Sequence, residues 1–318
     1  MPLDLSVIGA GIAPSATLAM DTKAKEFIAA GFDVIKFGVG EPDFDTPEFI
    51  RAAAKEAIDA GKTRYTPVAG TTELRWEIAQ KFARDNNLDY DASGEIIVSS
   101  GAKQVLYEAL CVLLNPGDEV ILPSPCWVSY PEMVRMAGGV PVFAPADPDK
   151  GFVFTAEDLR PYVTEKTKAL MINSPSNPNG CILSREILQG IADLAVEKQF
   201  YVISDEIYEK LIYDGEEHVS IASLGPKIKD QTIVVNGVSK TYAMTGWRIG
   251  YGAGPRRIIK AMTAYQSHAS SNANSIAQAA AAAALAAGDV ACVRDMIAEF
   301  DARRVLMHHL INAIPGIS

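Results

Sequence analysis

A lysine suited to covalent chemistry stands at position 240, in the stretch NGVSKTYAMTGWRIGYG. Lys240 follows the apolar run TIVVN and precedes a glycine-rich turn, and Arg248 comes eight residues later. A lysine amine forms a Schiff base with an aldehyde once burial or a neighbouring positive charge lowers its pKa. Arg248 could be that neighbour or could clamp a phosphate. By itself a lysine such as Lys240 is more often a surface residue at a strand end, so the interpretation depends on polar residues elsewhere.

Two such residues are Asp205, directly after the apolar run FYVIS, and Tyr208, three residues later. An aspartate at the end of a buried strand can pair with a cationic ligand group, such as a pyridinium nitrogen. Tyr208 could reach a hydroxyl oxygen on the same ring. Asp205 could instead be the N-cap of a helix, but that alternative would leave Tyr208 unexplained.

Three further stretches add polar or flat groups. Asn177 lies in NSPSNPNG after the run KALMIN, where an X-Pro bond can be cis and the amide could hydrogen-bond an ionised ring oxygen. Asn-Pro pairs also occur in turns that are merely rigid. The small residues of SGAKQ, including Ala102 and Lys103, open a helix whose free N–H groups suit a phosphate. Trp127 offers a flat face for stacking, although a lone tryptophan is usually part of a core.

The elements that must position these groups alternate between short apolar runs and helical stretches. A helix is predicted over 104–114, another over 185–198, one over 22–30, and a long one from about 288 toward Leu310. Strands that are apolar on both faces and separated by helices indicate a mostly parallel sheet covered on both sides. Ligands of such sheets bind beyond the carboxyl ends of the strands. The strands are predicted at 95–99, 119–122, 168–173, 200–204 and 232–236.

Composition excludes several other classes of protein. The chain has 318 residues and a net charge of −10, which argues against a nucleic-acid-binding surface. No apolar run is long enough for a membrane helix, and the first residues lack the pattern of a secretory signal. Four scattered cysteines and four histidines show no metal-ligand spacing, so no metal is expected and the thiols are expected to be reduced and cytoplasmic. The GAG at 9–11 lacks the third glycine of a dinucleotide fingerprint.

Taken together, the motifs resemble the class I aminotransferases of pyridoxal-phosphate fold type I. The matching stretches occur in the order of that family and span about 14–290: VGEPDFDTP, GKTRYTPVAG, SPCWVSYPEM, NSPSNPNG, SDEIYE and SKTYAMTGWRIGYG. The resemblance implies an α/β fold, a three-layer α/β/α sandwich with a mostly parallel central sheet, plus a smaller domain that is incomplete here. The expected organisation is an N-terminal arm and part of the small domain over 1–45, a large cofactor-binding domain over 46–290, and a connecting helix with the start of the small domain over 291–318.

The resemblance also implies a role for each motif residue. Lys240 would hold pyridoxal 5'-phosphate as a Schiff base and move the proton between the substrate Cα and cofactor C4′. Asp205 would pair with the pyridine nitrogen, and Tyr208 and Asn177 with the ring oxygen, while Trp127 would stack on the ring. The remaining roles are phosphate binding by Arg248, Ser239, Ala102 and Lys103, phosphate binding in the partner subunit's site by Tyr65, and substrate-carboxylate binding near Gly40. A homodimer with shared active sites is therefore expected.

Lys103 and the PSAT stretch containing Ser15 and Thr17 resemble the bacterial branch that includes aspartate and prephenate aminotransferases. In that branch these residues are thought to receive the distal carboxylate of a dicarboxylic substrate, and Trp127 and Asn177 also face the substrate. The expected reaction is transamination between aspartate and 2-oxoglutarate, with prephenate as a second acceptor. The family's small domain extends beyond the position of Ser318 and would there carry the arginine for the α-carboxylate, a role to which no residue is assigned here.

Two alternatives remain open from the sequence. The same lysine base could serve β-elimination from a cysteine conjugate, since the leaving group of the substrate decides between the routes. A second alternative is a domain that binds pyridoxal phosphate as a sensor without turnover. The complete set of Asn177, Asp205, Tyr208, Lys240 and Arg248 argues against a sensor, which would have little need of a base.

Overall fold

A seven-stranded sheet forms the centre of the chain in the computed structural model, which describes residues 4–36, 38 and 40–317. The strands lie in the order β1-β7-β6-β5-β4-β2-β3. They are β1 (Ile96–Ser99), β2 (Glu119–Ser124), β3 (Val140–Pro145), β4 (Thr167–Asn173), β5 (Tyr201–Asp205), β6 (Thr232–Gly237) and β7 (Gly250–Ala253). All five predicted strands are confirmed within two residues at each end.

Strand β7 alone runs opposite to its neighbours. It pairs antiparallel with both β1 and β6, whereas β2, β3, β4, β5 and β6 pair in parallel. Because two reversals cancel, β1 points the same way as β6. The carboxyl ends of β1, β2, β4, β5 and β6 therefore lie along one edge of the sheet, where ligands of such sheets bind.

Two strands were not predicted from the sequence. Strand β3 begins and ends near prolines and forms an edge of the sheet, the one place where a strand tolerates proline well. Strand β7 has the sequence GYGA, and its glycines weaken the local strand pattern. These glycines are needed for packing, since a Cβ on Gly250 would lie 2.0 Å from the backbone nitrogen of Ala102.

Helices cover both faces of the sheet in the described part of the chain. Several begin at a capping side chain, such as Thr71 before α4 and Ser184 before α8. The helices are α1 (Val7–Gly11), α2 (Ala16–Ala29), α3 (Glu48–Asp59), α4 (Thr72–Asn86), α5 (Ala102–Leu113), α6 (Ser129–Met136), α7 (Ala156–Leu159), α8 (Arg185–Lys198), α9 (Pro226–Lys229), α10 (Arg256–Ala269), α11 (Ser275–Ala286) and α12 (Ala291–Asn312).

Alternate side chains of the strands enter different cores. Ile233 and Val235 of β6 pack with α5 and α10, whereas Val234 between them packs on the opposite face with α4 and α11. Strand β5 shows the same alternation, since Ile203 joins the core formed with α5 and α10, whereas Val202 packs against α8. This arrangement confirms the three-layer α/β/α architecture with a mostly parallel sheet.

The predicted bounds of the helices near the two ends of the sequence agree with the structure to different degrees. The long helix predicted from about 288 is confirmed as α12. The helix predicted over 22–30 begins earlier, because α2 starts at Ala16 directly after Pro14 and Ser15. Ala, Leu and Met in this first part are strong helix formers, and Ser15 stands at the N-cap.

The described residues contain no single helix that is both long and apolar enough to cross a membrane. Helices α11 and α12 pass the length and composition test only as a pair, with a bend of 86° between them.

Candidate active site

Lys240 lies in the turn after β6, at the carboxyl edge of the sheet. Its Nζ atom donates a hydrogen bond to the backbone oxygen of Gly40 at 2.5 Å and lies 5.8 Å from the centroid of the Tyr208 ring. Burial lowers the pKa of the Lys240 ammonium, and Arg248 acts in the same direction, while Glu41 opposes them. A lysine with a lowered pKa has a larger neutral fraction, which is the nucleophilic and basic form.

Asp205 ends β5 on the same edge and is only 4% exposed. Its Oδ2 atom accepts a hydrogen bond from the Tyr130 hydroxyl at 2.7 Å, and Oδ1 accepts one from the backbone nitrogen of Ile207 at 3.3 Å. Burial raises the pKa of Asp205 to about 6, against the opposing effect of these hydrogen bonds. The N-cap alternative is wrong, because Asp205 precedes a turn rather than a helix.

Tyr208 and Asn177 meet beside these two residues. The Asn177 side-chain nitrogen donates to the Tyr208 hydroxyl at 3.4 Å. Asn177 is held in place by its backbone nitrogen, which donates to the side chain of Asn173 at 2.7 Å, and Asn173 in turn donates to the backbone oxygen of Asp205. The peptide bonds Ser174-Pro175 and Asn177-Pro178 in this loop are cis. Two neutral polar groups therefore converge next to the buried carboxyl group.

Arg248, in the segment before β7, lies against the turn between β1 and α5. Arg248 donates to the backbone oxygen of Ser100 at 3.3 Å and to that of Thr245 at 2.8 Å. Gly101 has φ 89°, and a Cβ there would lie 2.2 Å from the Arg248 guanidinium. The first N–H groups of α5, beginning at Ala102, lie at this end of the helix. A helix N-terminus beside an arginine is well suited to an anionic group such as phosphate.

Lys103 and Trp127 lie together at the rim of this region. The Lys103 ammonium is 4.6 Å from the Trp127 ring centroid and donates to the Ser129 hydroxyl at 3.3 Å. Burial lowers the pKa of Lys103, and the charge of Arg248 adds to that effect. Trp127 also packs edge-on against Tyr130, with the ring centroids 5.4 Å apart. A cation held on an aromatic face is positioned to bind a carboxylate of a ligand.

Not every motif residue contacts this cluster. Tyr65 is 90% exposed, and the hydroxyls of Ser15 and Thr17 contact one another at 3.0 Å. Ser239, by contrast, is buried directly before Lys240. Gly40 lines a cleft of ≈ 610 Å³ together with Asn177, Tyr208 and Arg304.

Sequence reasoning missed two residues at the site. Tyr130, which bonds Asp205, stands three residues after Trp127, and Asn173 ends the strand before the Asn177 loop. Asn173 could have been found from its place at the carboxyl end of an apolar run. Tyr130 carried no such signal, because a tyrosine in a helix is equally typical of the hydrophobic core.

The residues fit pyridoxal phosphate on chemical grounds. Asp205 is buried, yet its hydrogen-bond partners in the described structure, Tyr130 and Ile207, are neutral. A buried carboxylate is costly without a cation nearby. A pyridinium nitrogen would supply that cation, an amine of lowered pKa would meet the aldehyde, and the turn at Gly101 would accept the phosphate.

The known proteins that are similar to this chain are aminotransferases. The family Aminotransferase class I and II matches residues 33–318. The aspartate aminotransferase of Geobacillus stearothermophilus is 51% identical over 309 residues, which are 97% of this chain and 78% of that protein. The aspartate/prephenate aminotransferase of Cereibacter sphaeroides is 47% identical over 310 residues, which are 97% and 77% of the two chains. The solved aspartate aminotransferase from Thermus thermophilus with maleate is 45% identical, with a TM-score of 0.95 and coverage of 98% of this chain and 81% of that one.

Fold and site together define a pyridoxal-phosphate-dependent enzyme of fold type I. The chain belongs to the class I and II aminotransferase family, and its chemistry is transamination.

Proposed function

We propose that the enzyme transfers the amino group of aspartate to 2-oxoglutarate, with prephenate as a second acceptor. The observation that carries the proposal is the convergence of Lys240, Asp205 and Tyr208 at one edge of the sheet. Relatives named aspartate or aspartate/prephenate aminotransferase support the substrates. The same names favour transamination over β-elimination and over a sensor role. The solved relative with maleate supports a dicarboxylate ligand.

Asp205, Tyr208 and Asn177 orient the cofactor ring in this proposal. Asp205 would pair with the pyridine nitrogen, while the Tyr208 hydroxyl and the Asn177 amide would donate to the ring oxygen. Trp127 would stack on the ring. Pyridoxal phosphate, when bound, supplies an electron sink that stabilises negative charge at the substrate Cα. The catalytic residues are therefore Lys240, Tyr208 and Asp205.

The phosphate would be bound at the start of α5. Arg248, Ser239 and the backbone groups of Ala102 and Lys103 would hold it, and the positive end of the helix would add to their effect. Arg248 is already held toward this point by its bonds to Ser100 and Thr245. Binding a dianion next to Lys240 offsets part of the effect of Arg248 on the lysine pKa.

With pyridoxal phosphate bound, Lys240 would be the base that takes the proton from the substrate Cα and returns it at cofactor C4′. Burial lowers the pKa of its ammonium, which enlarges the neutral fraction that can act as a base. In the structure described here the amine donates to the backbone oxygen of Gly40. That contact supports a role for Gly40 near the substrate carboxylate.

Lys103 selects a dicarboxylic substrate, with Ser15 and Thr17 as further contacts for the distal carboxylate. Its ammonium lies on the face of Trp127, close to the expected ring position. The Ser15 and Thr17 hydroxyls already form a pair that could donate together. Trp127 and Asn177 border the substrate as well as the cofactor.

A homodimer completes the site in this proposal, since Tyr65 is almost fully exposed and available to the partner subunit's phosphate. The domains are the arm over 1–45, the large domain over 46–290 and the connecting helix over 291–318, in agreement with a sheet confined to 96–253. We place the enzyme in the cytoplasm, because its four cysteines are all free.

The test is the near-UV and visible absorption of the purified chain with pyridoxal phosphate, before and after addition of aspartate. Wild type is expected to show a bound-cofactor band that shifts with aspartate, and oxaloacetate should be released. Lys240→Ala should lack the lysine-bound band, whereas Lys260→Ala on the exposed face of α10 should keep it. A band that forms without Lys240, or a shift with cysteine conjugates but not with aspartate, would contradict the proposal.

A further inference from the structure

The turn between β1 and α5, here called the phosphate turn, has a buried glutamate directly behind it. Among the described residues this glutamate has no cationic partner. Glu108, on the second turn of α5, is 1% exposed. Its two oxygens lie near the neutral side chains of Gln104 and Ser99. Ser99 and Gln266, which complete the group, are both fully buried. The positions of the hydrogen atoms in this cluster follow from counting donors and acceptors.

The orientation of Gln266 is set by two backbone carbonyl groups. Its Nε2 atom donates to the backbone oxygens of Val68 at 2.7 Å and Val98 at 3.0 Å. Both amide hydrogens are thereby used, and Oε1 must face the Ser99 hydroxyl, 2.5 Å away. An amide oxygen only accepts, so the single hydroxyl hydrogen of Ser99 points to Gln266.

Gln104 is fixed in the same manner from the other side. Its Oε1 atom accepts from the backbone nitrogen of Ser100 at 2.8 Å. Its Nε2 atom therefore faces Glu108 Oε1 at 2.7 Å and the Ser270 hydroxyl at 2.5 Å. This accounts for one oxygen of the Glu108 carboxyl group.

The other oxygen, Oε2, lies 3.2 Å from Ser99 Oγ. Because the hydroxyl hydrogen of Ser99 is already given to Gln266, this contact lacks a hydrogen unless the carboxyl group carries one. We propose that Glu108 is a neutral carboxylic acid that donates to Ser99 and so acts as a positioning residue for the phosphate turn. Its link to the phosphate rests on the function proposed above.

The resulting hydrogen-bond chain joins two parts of the site. It runs from the Ser100 amide through Gln104, Glu108, Ser99 and Gln266 to the carbonyl of Val68. Val68 lies three residues after Tyr65, in the segment proposed to reach the partner subunit's phosphate. Chains of this kind strengthen one another in a buried setting. Loss of the Glu108 proton would break this chain of hydrogen bonds. It would also place a negative charge behind the site proposed for the cofactor phosphate.

The environment of Glu108 supports a neutral acid. Burial raises the pKa of its carboxyl group to about 7, while the contacts with Gln104 and Ser99 oppose this. Tyr265 of α10 is a titratable neighbour of the same cluster. Strands β1, β5 and β6 and helix α6 contribute apolar side chains under α5, among them Ile97, Ile203 and Val134.

The sign of the pH dependence follows from the raised pKa. The folded protein holds the Glu108 proton above the usual pKa of 4.5, so this stabilisation is complete below that value. It is lost as the pH rises through the folded-state pKa of about 7. Glutamine resembles the protonated acid, since it can donate to Ser99 and accept from Gln104, and it has no proton to lose.

The experiment compares wild type with Glu108→Gln, and uses the exposed Glu165→Gln as a control. Thermal unfolding without cofactor and pyridoxal-phosphate affinity are measured from about pH 5 to about pH 9. Near pH 5 the two proteins should be alike. Toward pH 9 Glu108→Gln should unfold at the higher temperature and bind cofactor roughly 3- to 10-fold more tightly, which is the size expected for one buried hydrogen bond.

Infrared spectroscopy of the cofactor-free protein gives a direct check. Two buried carboxyl groups, Asp205 and Glu108, should contribute carbonyl bands near pH 5 that fade toward alkaline pH. The Glu108 component, which fades at the higher pH, should be absent from Glu108→Gln while remaining in Glu165→Gln. The proposal is overturned if Glu108→Gln is less stable than wild type throughout, or if the carbonyl bands are unaffected by the substitution. Because unfolding and infrared spectra need no cofactor, they separate this outcome from failure of the proposed transamination.

Discussion

The Tyr130 hydroxyl donates a 2.7 Å hydrogen bond to Oδ2 of Asp205, and both side chains are buried. The bond opposes the effect of burial and keeps the pKa of Asp205 near 6 rather than higher. It therefore favours the ionised carboxylate that a pyridinium nitrogen needs. Tyr130 also packs on Trp127, so one side chain contacts both the expected ring partner and the expected stacking residue.

We expect Tyr130→Phe to raise the pKa of Asp205 further and to move the acid limb of the kcat/KM profile to higher pH. Activity near neutrality should fall about tenfold, since a hydrogen bond to a charged group is worth about 1.5–3 kcal/mol. The ring remains packed, so the loss of stability should not exceed the about 1.5–3 kcal/mol of the missing hydrogen bond. The matched control is Tyr162→Phe, far along the chain on a short helical turn. An unchanged acid limb would show that Tyr130 does not act on Asp205.

The buried pair of Lys81 and Glu209 anchors the segment that carries Asp205 and Tyr208. Glu209 directly follows Tyr208 and contacts Lys81 and Asn86, both buried. Burial tends to raise the pKa of Glu209, but Lys81 and His218 outweigh it and hold the pKa at about 2. Lys81→Met should cost about 3–5 kcal/mol in denaturant unfolding, because it leaves a buried charge unpaired.

The double variant Lys81→Met with Glu209→Met tests the cause of that loss. It should recover much of the stability, since both charges are removed together. The wild-type pair should contribute its full stability above the usual pKa of 4.5 for Glu209 and lose it as the pH falls toward about 2. If the double variant were as unstable as Lys81→Met, lost packing rather than an unpaired charge would be responsible.

Lys103→Ala should change substrate preference more than overall folding. Turnover of aspartate should fall about 10- to 100-fold relative to turnover of phenylalanine, because only aspartate has a distal carboxylate for the ammonium to bind. The ratio of kcat/KM for the two amino acids is the measurement. Lys166→Ala, on an exposed loop before β4, is the control. An unaltered ratio would mean that another residue selects the substrate.

Gly250→Ala should displace the phosphate turn. The added Cβ would lie 2.0 Å from the backbone nitrogen of Ala102, which is the first residue of α5. Overpacking against backbone typically costs about 1–3 kcal/mol, and cofactor affinity should fall by about tenfold or more. Gly246→Ala is the matched control, because a Cβ at that position would meet no atom within 4 Å. Equal cofactor affinities for the two variants would remove the close approach as a determinant of binding.

Local sequence determined the parallel strands and much of the site. Runs such as FYVIS and TIVVN are apolar on both faces, which indicates buried strands of a covered sheet. Because parallel strands end at one edge, Asp205 and Lys240 were expected at the same edge. The motif positions were therefore predictable before any contact was known, and the family resemblance added the cofactor.

Tertiary structure alone decided the partners of these residues. Tyr130 meets Asp205 across 75 positions of sequence, and Ser99 meets Gln266 across 167. Neither contact has a periodic or turn signal, since each arises from packing of α6 or α10 against the sheet. The packing of β7 against α5 likewise depends on Gly250, which admits the backbone of Ala102. Residue types and strand ends are local properties, whereas hydrogen-bond partners and burial, which set the pKa of Asp205, exist only once distant elements have packed.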